Sequence, residues 1–182
     1  EFSEDSEIEI INKETFSYSQ IKEVLFPKSV KVIGERTFWH CHFIQKVEFP
    51  ENSELRIIES GAFLHSSIEA LNIPAKFVEF RGSWCGFTQS LNKISVSPNN
   101  RRFGLLGEKI IIGKSETNDD DFDSIVFASR DIVNVSIPSK IMHSTVVIGL
   151  KKLKLDEIRN WTQLNIMLFR IHLLNLFIFL DI

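Results

Sequence analysis

Apolar residues recur along this chain in two nested periods. Within short segments they recur at alternate places: Val24 and Phe26 alternate with Glu23 and Leu25 after Ile21 and lead into Pro27. The same frame returns at Ile44, Val47, Phe49 and Pro50, at Ile68, Leu71, Ile73 and Pro74, and at Ile132, Val135, Ile137 and Pro138. A further copy, Leu91, Ile94 and Val96, places its proline one residue late at Pro98. From Ile21 through Ile44 and Ile68 to Leu91 the openings step by 23, 24 and 23 residues. A fixed period of this length marks a stacked solenoid whose neighbouring coils share one elongated core. The inner alternation is that of a half-buried strand, and proline ends it by removing a backbone donor. Each repeat therefore predicts one short strand. Its second half turns back, with Val30, Ile33 and Phe38 directed inward and Gly34 available for a tight bend.

The segment from Glu1 to Ile21 overlays Glu48 to Ile68 two repeats later, with Phe2, Ile10, Ile11 and Phe16 recurring as Phe49, Ile57, Ile58 and Phe63. The chain thus opens partway through a repeat, without an initiator Met or a charged-then-apolar leader, and is expected to be a fragment of a longer parent. Its 182 residues, 43% apolar, suffice for one elongated core. Sixteen Phe stand against one Tyr, as expected where a repetitive interior cannot satisfy a hydroxyl at every rung. The register puts Cys85 in the inward place held by Phe16, Phe38 and Phe63, with Trp84 beside it to restore the lost volume. Cys41 and Cys85, two coils apart, would lie roughly 9 to 10 Å from one another, too far for a disulfide. Both are expected to be buried free thiols.

Between Pro98 and Ile132 the period breaks. Lys109 to Ile112 and Ser124 to Ala128 read as two strands joined by the polar run Lys114 to Asp123, a hairpin projecting from the solenoid within residues 103–128. Asp119, Asp120, Asp121 and Asp123 at its tip lack the alternation and Gly of a calcium loop and read as solvated. His40, Cys41 and His42 invite a zinc reading, but adjacent residues on an extended or turning backbone are expected to point in different directions, and no second ligand pair follows at a suitable spacing. No nucleophile elbow or phosphate-cradling loop occurs, so neither an enzyme nor a cofactor or metal is expected. The balance of 21 basic and 24 acidic residues, with no dense basic block, argues against nucleic acid.

The third and fifth places of each strand point away from the core. They predict a binding ladder of Glu23, Leu25, Lys46, Glu48, Ala70, Asn72, Lys93, Ser95, Asn134, Ser136, Lys152 and Lys154. This face is mixed and polar, without a cluster of aromatic anchors, and suits a broad contact of modest affinity. After residue 157 the apolar residues Ile158, Trp161, Leu164, Leu168, Ile171 and Leu174 take helical spacing. Residues 158–182 are open to three readings: a helical cap, a membrane-associated tail, or a degenerate tail. The 17-residue apolar run Leu164 to Leu180 is shorter than the about 20 residues of a spanning helix. Asn134 and Asn160 open glycan acceptor sequons.

The strand frame, the return Ser29 to Gly34, the run Thr37 to Cys41, the stretch Ser53 to Phe63 and the segment Ser97 to Phe103 resemble the BspA-like leucine-rich repeats. These occur on the surfaces of certain bacteria and, in large numbers, of trichomonad parasites. The resemblance covers roughly residues 1 to 140. The expected fold is then an α/β-type repeat solenoid over residues 1–157, dominated by short parallel strands, with the inserted hairpin and a C-terminal helical cap or tail. It implies a non-enzymatic module, at the cell surface or secreted, for adhesion to host protein, matrix or glycan. An intracellular interaction scaffold and a degenerate truncated paralogue are the alternatives.

Overall fold

The computed structural model describes residues 2–3, 5–115, 121–129, 138, 141 and 143–144. Its first eight strands are β1 (Ile10–Ile11), β2 (Glu23–Leu25), β3 (Val32–Ile33), β4 (Lys46–Glu48), β5 (Ile57–Ile58), β6 (Ala70–Ile73), β7 (Glu79–Phe80) and β8 (Lys93–Val96). They form two parallel sheets, β2-β4-β6-β8 and β1-β3-β5-β7, each in chain order. The Pro-terminated segments stand side by side as the period requires: Val24 pairs with Val47, Val47 with Leu71, and Leu71 with Ile94. The fold is a parallel-strand solenoid of leucine-rich repeat type, of about four turns. No helix occurs among the described residues; the return half of each coil holds a second two-residue strand and a run of turns.

Successive coils bury like against like. Phe16, Phe38 and Phe63 stack in one column with ring centroids 5.3 and 5.2 Å apart, and Phe26 stacks on Phe49 at 5.1 Å. Such pairs add about 0.5–1.5 kcal/mol each beyond their area. The Phe column continues into Cys85. Phe16 N–H donates to the Thr37 carbonyl, Phe38 to Ala62 and Phe63 to Trp84, so the next rung after Trp84 is the thiol. Trp84 is fully buried, edge-on to Phe63 at 6.4 Å, and fills the space as expected. Cys41 and Cys85 are both free and buried. Cys41 stands in a column with Ser19, Ser66 and Thr88, whose N–H groups each donate to a carbonyl of the Phe column. Its Sγ donates to the Phe16 carbonyl at 2.9 Å, as the Thr88 hydroxyl does to Phe63 at 2.7 Å.

Each return turn carries left-handed residues at its corners. Glu14, Arg36 and Gly61 form one set and Tyr18, His40, His65 and Phe87 another, with φ between 52° and 64°. A non-glycine residue pays about 1–2 kcal/mol for this conformation. Here it turns backbone N–H groups toward the next coil: Tyr18 donates to Trp39, His40 to Leu64 and His65 to Gly86, at 2.9 to 3.0 Å. Gly34, expected at a tight bend, serves a different need. Its φ is ordinary, but a Cβ would stand 2.5 Å from the Ile11 carbonyl oxygen, so its lack of a side chain lets two coils approach.

The interrupted repeat forms an antiparallel meander. β9 (Phe103–Leu106) pairs with β10 (Ile110–Gly113), which pairs with β11 (Ser124–Ala128); β12 (His143–Ser144) runs parallel to β11. The expected β10–β11 pairing is present, joined by a third strand that precedes it. The described strands β9, β10 and β11 do not project. Phe103, Ile111, Val126 and Phe127 belong to the same buried cluster as the coils, with Phe103 5.5 Å from Phe77 and Phe127 5.8 Å from Trp84. Apolar rings on both sides explain why the meander lies across the solenoid rather than out in water. Residues 158–182, with the cap and tail readings, lie outside the described residues, as do both sequons.

Candidate functional site: the strand face and its rim

The parallel register of β2, β4, β6 and β8 aligns the outward positions in two columns. Glu23, Lys46, Ala70 and Lys93 make one; Leu25, Glu48, Asn72 and Ser95 make the other. These are the eight described members of the expected ladder. Asn134, Ser136, Lys152 and Lys154 lie outside the described residues. Glu23, Leu25, Lys46, Glu48, Lys93 and Ser95 are exposed, while Ala70 and Asn72 are half-buried. Alternation drives this outcome, because Val24, Val47, Leu71 and Ile94 between them are buried.

Not every outward side chain is available. Asn72 is tied back to the neighbouring coil: its Nδ2 donates to the Phe49 carbonyl at 2.7 Å and its Oδ1 accepts from Phe49 N–H at 2.9 Å. That replaces strand pairing with β6 beyond Val47 and makes Asn72 a structural clamp. Lys46 Nζ lies 2.9 Å from the Glu48 carboxylate. The hydrogen bond to Glu48 and its charge, with a smaller lift from Glu23, raise the Lys46 pKa above its usual value.

A wall completes the face. Leu105 and the β9–β10 turn, Gly107, Glu108 and Lys109, line an open groove of about 440 Å³ together with residues of β4, β6 and β8. Gly107 turns with φ 64°, and no described atom comes within 4 Å of the place a Cβ would take. Lys46, Lys93 and Lys109 are set against Glu48 and Glu108 along the groove, over a floor of Val47, Leu71 and Ile94. This arrangement can offer ion pairs and hydrogen bonds to an extended polar partner. The opposite flank is spent on the fold, since Glu9–Lys31, Lys13–Glu35, Glu54–Lys76 and Glu59–Arg81 bridge successive coils there.

The corner of the turns holds a feature the strand pattern did not announce. Tyr18, His40, His65 and Phe87 stack as a ladder with ring separations of 5.0, 4.6 and 4.5 Å, and Trp39 packs edge-on against Tyr18 and His40. Arg36 lies over Trp39 at 5.5 Å. The ladder spans four coils, and its members differ in kind, so only their common offset of two residues from the Phe column links them in sequence. His65 is held below the usual histidine pKa by burial first, then by His40 and His42. Among the described residues no three His, Cys, Asp or Glu side chains converge as a metal site.

The model of the BspA type leucine rich repeat region matches residues 2–105 in six copies. The chain belongs to the BspA-type leucine-rich repeat family. No curated protein matches it. Two solved structures resemble this BspA-type solenoid in fold. The pneumococcal vaccine antigen PcpA is 24% identical with a TM-score of 0.59, over 73% of this chain and 34% of that one. A leucine rich cell surface protein from Faecalibacterium prausnitzii A2-165 is 16% identical with a TM-score of 0.58, over 73% of this chain and 40% of that one. The chain therefore spans about two-fifths or less of the length of these structures.

Proposed function

We propose that this BspA-type solenoid is a non-enzymatic extracellular recognition and adhesion module that binds host protein, matrix or glycan through its strand face. The groove between the outward rungs and the β9–β10 turn carries the reading: it combines a long mixed-charge surface with a raised rim. Such a surface favours a broad contact whose charges set orientation and encounter rate. The flank stitched by inter-coil ion pairs leaves the strand face as the freer of the two sheets. Family membership supports a protein-interaction module, and a cell surface protein among the structures of similar fold supports display outside the cell.

A binding screen of the chain against host-cell surface components tests this. Lys46→Glu combined with Lys93→Glu is expected to weaken the selected interaction at least about tenfold while the fold is kept. Equal affinity of the double variant would remove the strand face from the account. An intracellular scaffold predicts instead that the parent protein on intact cells resists an impermeant labelling reagent.

A further inference from the structure

His40 and His42 meet outside the strand face. His40 Nδ1 lies 3.4 Å from His42 Nε2, although the intervening Cys41 is buried. Adjacent side chains diverge as expected, with Cys41 turned inward where its Sγ donates to the Phe16 carbonyl, and this leaves the alternate residues His40 and His42 on one side of the chain. Neither imidazole has any other hydrogen bond to a described residue. Their planes stand at 71°, and His40 is clamped between the parallel rings of Tyr18 and His65.

The separation is informative. The contact is a long hydrogen bond, beyond the about 2.7–3.2 Å usual for an N–H donor to oxygen. Two imidazole nitrogens on a tetrahedral zinc ion, each at about 2.0–2.1 Å, stand about 3.3–3.4 Å apart. Square-planar coordination, with ligands at right angles, would need them nearer about 2.9 Å. We infer that His40 Nδ1 and His42 Nε2 form a two-histidine chelate for a tetrahedral divalent cation of the zinc type, its two remaining positions open to water. The left-handed backbone at His40, the stack on both its faces and the anchored thiol between the pair hold one ligand in place before the ion arrives. His42 is exposed, so the ion has a direct path in. His65 stacks on His40 and is a neighbour, not a ligand.

Calorimetric titration of the full chain with Zn²⁺ alone at neutral pH tests the site. The wild-type chain is expected to bind, His42→Ala at least about tenfold more weakly, and His65→Asn, which removes one stacking face but no ligand, with a smaller loss than His42→Ala. His42→Ala removes an exposed side chain; far-UV circular dichroism checks that it folds, and His40→Asn, which tolerates the left-handed corner, provides a second variant. Co²⁺ in place of Zn²⁺ should give the intense visible bands of a tetrahedral ion. Binding that survives both His40→Asn and His42→Ala, or a pale octahedral Co²⁺ spectrum, would overturn the chelate.

Discussion

Asn100 satisfies four backbone groups with one buried side chain. Its Nδ2 donates to the carbonyls of Pro74 and Phe77, and its Oδ1 accepts from the N–H groups of Arg102 and Phe103, all at 2.8 to 3.0 Å. It stands where the last regular coil hands over to β9. Asn100→Ala strands these groups away from water and is expected to cost about 2–4 kcal/mol in urea unfolding. Asn100→Asp keeps the acceptor half but sets a carboxylate against two carbonyls, so it should be no milder. The His65 imidazole gives a second test at this scale. Its folded-state pKa lies below the unfolded value, so the unfolded chain binds the proton more readily. The stability contributed is present above the unfolded pKa of about 6.5 and is lost as the pH falls through the folded one. Urea midpoints at pH 7.5 and pH 5 should differ, and His65→Asn should reduce that difference. A variant with the same pH slope would assign it to other groups.

At the scale of the element, the aromatic column shows how a coil is held. Phe38 is fully buried with Phe16 on one face and Phe63 on the other, so it serves two interfaces at once. Phe38→Ala is expected to cost about 3–5 kcal/mol, read by denaturant midpoint. An effect under about 1 kcal/mol would show the coils to be held by backbone ladders instead. This column, like the strand ladder from Glu23 to Lys93, was legible in sequence because two periods coincide there: alternation within a strand and recurrence between coils. The sheet β1-β3-β5-β7 was not, since two-residue strands carry no alternation; only the recurring pairs Ile10–Ile11, Val32–Ile33 and Ile57–Ile58 mark it. The left-handed corners were nearly as silent, as Glu14, Tyr18, Arg36 and Phe87 are not residues that announce a positive φ, and only His40 and His65 are of a type enriched there. β9 was masked by Gly104 within a four-residue strand. Asn72 was placed correctly as an outward rung, but no pattern tells a free amide from one bonded to the adjacent backbone.

For the molecule as a whole, the shared interior makes distant coils depend on one another. The two buried thiols sit on different coils and report that dependence without added probes. In the native state both are expected to resist a thiol reagent, and in rising denaturant their labelling, followed by mass, should accelerate together if the stack opens as one unit. Separate onsets would divide the solenoid into independently opening segments. The meander belongs to this unit, because Phe103 and Phe127 close the core over Phe77, Phe80 and Trp84.

Each described outward rung is carried by the backbone of its own coil, and all steps but Glu48 to Asn72 are paired in fixed register. A gene that duplicated or deleted one coil would move the β9–β10 rim along the face by about 4.8 Å without re-aiming any side chain already there. The length of ligand embraced is thereby separable from the chemistry that grips it, and inheritance can adjust one while leaving the other untouched.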